Sequence, residues 1–407
     1  MHGVIIGTSA AGLAGAETLR RLAPESAITL ISEEPHAPYS RPLLTYLLGG
    51  EVRLDQIWLR EADYFTRWGF AARLGEPVIR VDPQAHQVHL ASGEAMGYDR
   101  LLIASGARAR LLGLPGEDLA GVYTLRNLED WQRLAAGLPP DGPVAVVGAG
   151  PVGLKAAEAL TRRGLRVTLV EAEPRPLPRL LDETAGGLLA EALTRLGMEI
   201  LLNTRPAAFQ GEGGGLTALA LADGRELPAR AALLCVGVTP RTEFLAGTAL
   251  AEAAGIPVDD RLKTAEPDIY AAGDCIEARH LLTGAAVSYQ IWPAAVAQGQ
   301  VAGANLAGAD RRYPGLLPQN SLSLRDFKVI SGGLFTAPDG EIFCEYDRHR
   351  GQYRRLVFRE GRLVGLTLVG RVEEAGIYFQ IMAQGRGLKD LPADPRSADF
   401  HPGRWWG

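Results

Sequence analysis

Residues 142–173 read GPVAVVGAGPVGLKAAEALTRRGLRVTLVEAE. An apolar run enters a turn that carries Gly148, Gly150 and Gly153 in GxGxxG spacing. An alanine-rich helical stretch follows, and a second apolar run, RVTLVE, ends at Glu171. Small residues in such a turn let the backbone approach a pyrophosphate, and the free amides at the helix start, around Pro151 and Val152, favour its negative charge. The motif is complete, with strand, turn, helix and terminal acid in order.

The chain opens on a second version of the same pattern. HGVIIGTSAAGLAGAETLRRL, residues 2–22, runs from a short apolar strand through Gly7 and Gly12 into another alanine-rich helix, with Ser9 where the usual fingerprint has its second glycine and Ala10 and Ala11 filling the turn. The next strand, AITLISEE, places Glu33 near its end, where a carboxylate can take both hydroxyls of an adenosine ribose. Two such cradles in one chain imply two dinucleotides. At the second cradle Glu171 would repel a 2′-phosphate and accept from a free 2′-hydroxyl, which favours NADH over NADPH.

A chain of 407 residues is long enough for two or three packed units. Its 47% hydrophobic and 22% charged residues are those of a globular enzyme, and a net charge of −5 gives no reason to invoke nucleic acid or an anionic membrane. No apolar run approaches the ~20 residues of a membrane span, and the strand-like start at Val4–Ile6 leaves no room for a signal segment, so a cytoplasmic location is expected. Cys235, Cys275 and Cys344 are far apart, with no CxxC and no metal-ligand spacing, so no metal is expected.

Three further stretches complete a recognisable order: YDRLLIASGARAR (98–110), with Ala104, Ser105 and Gly106; ALLCVGVTPR (232–241), with Gly237; and TAEPDIYAAGDC (264–275), with Gly273 and Asp274. With them the chain resembles the FAD- and NAD-dependent pyridine nucleotide oxidoreductases, from residue 3 to about residue 300. The resemblance implies an α/β fold with two Rossmann-like dinucleotide-binding domains of the glutathione-reductase type, plus a C-terminal α+β interface domain. The expected partition is a discontinuous FAD domain, 1–117 and 246–318, an NAD domain, 118–245, and an interface domain, 319–407. It also implies that FAD lies on the first cradle with Asp274 on its ribityl chain, and that NAD(H) lies on the second. In SYQIWPAAVAQGQVAGANLAG, Pro293 suits the first turn of a helix with Trp292 just before it, and in this family that helix start points at the flavin.

PYSRPLLTYLLG, residues 38–49, lies where thiol-using relatives carry a redox cysteine; here Arg41 and Pro42 stand there. The flavin therefore carries the chemistry with no catalytic side chain assigned, and the stretch looks most like the NADH:rubredoxin oxidoreductase, nitrite-reductase FAD domain and ferredoxin-reductase branch. Two departures are visible: Thr45 and Tyr46 stand where ferredoxin-reductase relatives place a lysine, and Lys155 replaces a glutamate that many relatives hold near the nicotinamide.

AGLPPDGP (136–143) reads as a connector and GEGGGL (211–216) as a hairpin turn. Beyond ADRRYPGLLPQN (309–320), KVISGGLF, EIFCEYD, QYRRLVFRE and RLVGLTLVG read as strands and EEAGIYFQIMAQGRG as a terminal helix. The arginines of this region, Arg354 and Arg355 among them, are candidates for steering an acidic partner, and Trp405 and Trp406 for packing or anchoring one. The resulting expectation is an NADH-dependent FAD oxidoreductase that exchanges electrons with an iron–sulfur carrier or the iron–sulfur subunit of a larger complex, in a hetero-oligomer formed through the C-terminal domain. The alternatives are an NADH oxidase or diaphorase acting on a small acceptor, and a flavin-bound redox-sensing protein.

Overall fold

The computed structural model describes residues 1–250, 254–335, 337, 339–391, 394–397 and 400. By packing, the chain divides into two compact units: Met1–Arg41, Arg53–Arg108 and Val238–Leu316 form one, and Pro42–Val52, Ala109–Gly237 and Leu317–Gly407 the other. The second unit thus takes in the C-terminal region together with the inserted segment, whereas the three-domain partition above follows motifs. No helix among the described residues is long and apolar enough to cross a membrane.

The first unit is built on five parallel strands in the spatial order Ile269–Ala271, Arg100–Ile103, His2–Ile6, Ala27–Ser32, Ala71–Leu74. The chain starts in the middle of this sheet. Its neighbours on the two sides come from different parts of the sequence, so the turn after Ile6 opens at the point where strand order reverses, which is where α/β sheets bind ligands. The central strands are apolar along their whole length because both faces are covered: Val4, Ile5, Leu101 and Leu102 are fully buried.

Across one face the helices Ala10–Leu22 and Trp292–Leu306 pack at very close range. A Cβ on Gly299 would fall 2.2 Å from the Ala11 carbonyl oxygen, and one on Gly303 2.3 Å from that of Gly15. The paired positions 11 with 299 and 15 with 303 make the helices parallel. The glycines inside the second helix cost helix propensity and repay it through backbone contact.

The second unit repeats the parallel sheet in the order Glu199–Leu201, Arg166–Val170, Pro143–Val147, Ala231–Leu234, Val122–Thr124. Its outer strand, Val122–Thr124, precedes the glycine motif, whereas the corresponding strand of the first unit, Ile269–Ala271, comes last. The hairpin of Pro206–Glu212 with Gly215–Leu221 turns at Gly213 and Gly214, both at positive φ, as the glycine run implied. The C-terminal sheet is antiparallel, in the order Gln319–Leu324, Phe327–Gly333, Arg362–Val369, Gln352–Arg359, Glu341–Asp347, with the helix Ala375–Gln384 after it. It has five strands rather than the four read from sequence. The extra one, Gln319–Leu324, has Leu322 and Leu324 as its apolar residues and begins inside 309–320, the stretch that precedes the strands read from sequence.

Glycine-to-alanine changes at 299 and 303 test the helix contact. Each should destabilise the protein by about 1–3 kcal/mol, the usual cost of forcing extra atoms into a packed site, seen as a lower thermal midpoint and urea midpoint. Gln300→Ala, on the exposed side of the same helix, should leave both unchanged.

Candidate functional site: two glycine turns and the groups around them

In the first unit the chain reverses at Gly7, at φ 111°. Gly7 N donates to Ile31 O at 2.7 Å and Ala104 N to Ile6 O at 2.8 Å, which ties the turn to both neighbouring strands. A Cβ on Gly7 would lie 2.1 Å from Ala104 O, and one on Gly12 only 1.9 Å from Gly7 O. Ser9 is the N-cap of the helix without a side-chain cap, and Leu13 N donates to Ser9 O at 2.9 Å. The amides of Ala10, Ala11 and Gly12 therefore have no acceptor one turn back within the helix, which is the geometry that receives an anion.

Ser105 and Gly106 continue from Ala104 beside this turn and hold the chain at Arg241. Ser105 Oγ donates to Arg241 O at 2.7 Å, and Arg241 N donates to Gly106 O at 3.0 Å. The two acids after the strand Ala27–Ser32 have separate partners. Glu33 is ion-paired with Arg241; Glu34 is buried and accepts from the Tyr39 hydroxyl and the Arg41 guanidinium. The Arg41 guanidinium also stacks over the Tyr39 ring, 5.4 Å from its centroid. Burial works against the Arg41 charge, but Tyr39, Glu34 and Asp274 together outweigh it and raise its pKa above the ordinary value. Pro42 is exposed in the short 3-10 turn Arg41–Leu43.

Asp274 follows the strand Ile269–Ala271 and Gly273, which is at φ 87°. Gly273 N donates to the side chain of the buried Gln298 at 2.9 Å, and a Cβ on Gly273 would meet the Ala11 Cβ at 3.0 Å. The Gly273–Asp274 turn therefore lies against the start of the first helix. The helix Trp292–Leu306 begins one residue earlier than read from sequence: Trp292 is its first residue, Pro293 its second, and Trp292 packs, partly buried, on the unit's core. With position 299 level with Ala11, this helix starts roughly 10 Å beyond it.

In the second unit Gly148, at φ 101°, donates from N to Val170 O at 2.8 Å. A Cβ on Gly148 would be 2.5 Å from Cys235 O, and one on Gly153 2.0 Å from Gly148 O. Gly150 caps the helix Pro151–Arg162, and a Cβ at Gly150 or at Gly237 would meet open space. Val152, in the first turn, keeps 48% of its surface exposed. Glu171 is buried; its Oε2 accepts from Ala149 N at 2.7 Å and its Oε1 from Glu173 N at 3.0 Å. The carboxylate thus braces the turn itself, a role the sequence did not disclose.

Each unit accordingly brings its own expected residues together: 7–12, 104–106, 273 and 274 in the first, 148–153 and 171 in the second. Glu34, Tyr39, Gln298 and Arg241 belong to these surroundings and were missed. The Glu33–Glu34 doublet was the available signal, since only one of two consecutive acids can face the same ligand.

Lys155 Nζ lies 2.5 Å from Glu158 Oε2, 3.2 Å from Ser323 O and 4.6 Å from the centre of the Tyr46 ring. Cys275 is buried against Ile103 O and Ala272 O. Burial pushes the Cys275 thiol up to about 11 and the Cys235 thiol up to about 12. Cys344 is exposed. Among the described residues no group of three or more His, Cys, Asp or Glu is placed to hold a metal ion.

The steering role expected of Arg354 and Arg355 is overturned. Arg355 is buried, ion-paired with Asp182 at 3.1 Å and bonded to Phe335 O. Arg354 is largely covered, pairs with Glu345 at 2.7 Å, and donates to the Tyr378 hydroxyl and to the carbonyls of Pro395, Arg396 and Ser397. Both charges are consumed inside the unit. Trp405 and Trp406 lie outside the described residues.

Residues 1–299 match the family model described as pyridine nucleotide-disulphide oxidoreductase, and residues 318–386 that of the rubredoxin NAD+ reductase C-terminal domain. The chain is 36% identical to rhodocoxin reductase of Rhodococcus erythropolis, over 97% of this chain and 91% of that protein. It is 31% identical to subunit epsilon of the NADH-dependent phenylglyoxylate dehydrogenase of Aromatoleum evansii, over 95% and 93%. A solved ferredoxin reductase from Rhodopseudomonas palustris has the same fold, with a TM-score of 0.88, 28% identity and 95% of each chain covered.

Two outcomes are expected of this geometry. Glu171→Gln keeps an acceptor for Ala149 N but loses the charge, so the preference for NADH over NADPH should narrow by about tenfold, the size of one charge-assisted contact; kcat/KM for both nucleotides measures it, and a wild-type preference for NADPH would refute the reading. In a thiol titration of the native protein at neutral pH, Cys344 should react and Cys235 and Cys275 should not, because thiols raised that far hold almost no thiolate there. All three should react once the chain is unfolded.

Proposed function

Because the chain belongs to the pyridine nucleotide-disulphide oxidoreductase family, we propose that it is an NADH-dependent FAD oxidoreductase that delivers electrons to an iron–sulfur protein, either a soluble carrier or a subunit of a larger oxidoreductase. Its cofactors are FAD and NAD(H). The observation that carries this is the pairing of two strand–glycine–helix cradles with a C-terminal region of the rubredoxin NAD+ reductase type, in a chain whose 38–49 stretch holds no cysteine. The C-terminal match favours a protein acceptor over oxygen or a quinone.

FAD held there would supply the chemistry that joins hydride transfer from a nicotinamide to a one-electron centre. The protein's part is holding and orientation. The amides at the start of the helix Ala10–Leu22 would receive the FAD pyrophosphate, Glu33 the adenosine ribose and Asp274 the ribityl hydroxyls; Ala104, Ser105, Gly106, Arg41 and Pro42 would line the same site, and Trp292 the helix start beside the flavin. The amides after Gly150 would receive the NADH pyrophosphate and Glu171 its ribose hydroxyls, with Gly237 leaving room. The tight glycine contacts fit this, since any side chain at Gly7, Gly12, Gly148 or Gly153 would collide with backbone. The cytoplasmic location and a hetero-oligomer through the C-terminal region are parts of the same reading.

With Arg354 and Arg355 internal, the arginines left to steer an acidic partner are those on the exposed side of the C-terminal sheet. Arg359 and Arg362 face each other in register across the exposed turn at 360–361. Under anaerobic conditions, NADH should bleach the flavin, and a rubredoxin or ferredoxin should restore its colour; failure with any iron–sulfur protein, with steady oxygen consumption instead, would favour the oxidase reading. Reversing the charge at Arg359 and Arg362 should slow the second step at low salt and spare NADH oxidation by a small dye, the difference fading as the Debye length falls below ~8 Å.

A further inference from the structure

Glu33 is a flexible side chain at the end of a strand, and a ribose acceptor works only if its carboxylate is held in one place. Arg241 is the group that holds it. Its Nη1 is ion-paired with Glu33 Oε1. Arg241 is itself fixed on both sides: its N–H donates to Gly106 O and its carbonyl accepts from Ser105 Oγ. Two residues further on, Glu243 pairs with Arg108 at 2.6 Å. The cation is therefore anchored to the same 104–106 loop that packs against Gly7.

The neighbouring acid is out of play, because Glu34 is committed to Arg41 and Tyr39. Each of two adjacent carboxylates thus has its own arginine. We propose that Arg241 is a positioning residue of the FAD site, holding the Glu33 carboxylate as the acceptor for the adenosine ribose hydroxyls. This rests on the reading of the first cradle as the FAD site. A carboxylate accepts at about four lone-pair positions, so the Arg241 contact leaves capacity for both ribose hydroxyls. Burial lowers the Arg241 pKa from its ordinary value, against the opposing charge of Glu243; a guanidinium starts high enough to remain a cation.

The test is flavin affinity of the full-length protein after flavin removal, measured by fluorescence quenching for FAD and for FMN, which lacks the adenosine. Arg241→Gln should raise the dissociation constant for FAD by about tenfold, the size of one charge-assisted hydrogen bond, and leave that for FMN unchanged. Arg241→Lys should recover part of the loss. Combined with Glu33→Gln, the effects should be less than additive. Equal losses for FAD and FMN would show a general packing role and overturn the proposal, as would unchanged or tighter FAD binding while Glu33→Gln weakens it. If Glu33→Gln itself leaves FAD affinity intact, the ribose reading falls and the proposal with it.

Discussion

A carbonyl oxygen held about 2 Å from where a Cβ would stand recurs at Gly12 over Gly7 and at Gly153 over Gly148. That contact fixes how the helix leaves the strand. The helix axis is pressed onto the turn, its first amides face outward from the end of the central strand, and a negatively charged group is the natural thing to place before them. Much of the remaining geometry serves this contact. In the first unit Gly299 and Gly303 let a second helix lie directly on the first and bring Gly273 to Ala11; in the second unit Glu171 bonds to the amide of Ala149 within the turn. The same constraint recurs in both units, so each presents outward-facing amides at the end of its central strand.

The parts legible in sequence were those governed by local backbone chemistry. Glycine spacing located both turns, the Gly213–Gly214 pair located a hairpin, and alternating apolar residues located Phe327–Gly333, Glu341–Asp347, Gln352–Arg359 and Arg362–Val369 almost to the residue. Gln319–Leu324 escaped because its outward residues, Gln319, Ser321 and Ser323, resemble a linker and only Leu322 and Leu324 mark the buried side. The start of the helix at Trp292 escaped because proline is tolerated at either of the first helical positions, so it marks a turn and not a residue.

Side-chain partnerships were the illegible part. A run of arginines looks like a surface when only charge is counted, yet a guanidinium has five donors and a long apolar stem, and it is well suited to burial when acceptors converge on it. At Arg354 and Arg355 they do: Glu345, Tyr378 and three carbonyls meet one, Asp182 and Phe335 O the other. These acceptors come from up to about 170 positions away in the chain, which no local pattern encodes. The Glu33–Glu34 doublet shows the same limit at short range, since strand alternation separates the two acids but says nothing of Arg241 or Arg41.

Within the second unit these long-range pairs have a structural consequence that bears on Lys155. Its departure from the glutamate of many relatives looks, in sequence, like a free positive charge near the nicotinamide, but its ammonium group is bound by Glu158, Ser323 O and the Tyr46 ring. Glu158 also accepts from Arg325 N at 3.0 Å and pairs with Arg162, which reaches Glu51 at 2.8 Å. At the other side Asp182 caps the helix Glu183–Arg195 through Ala185 N and receives Tyr353 and Arg355 from the C-terminal sheet. The C-terminal strands are thus fastened to two helices of the parallel sheet by carboxylates, Glu158 on the helix Pro151–Arg162 and Asp182 at the cap of Glu183–Arg195. Removing either acid would strand a covered cation without its partner, a larger loss than that of an exposed ion pair. Lys155 is therefore better understood as a strut between its own helix and the C-terminal strands than as a substitute for the missing acid.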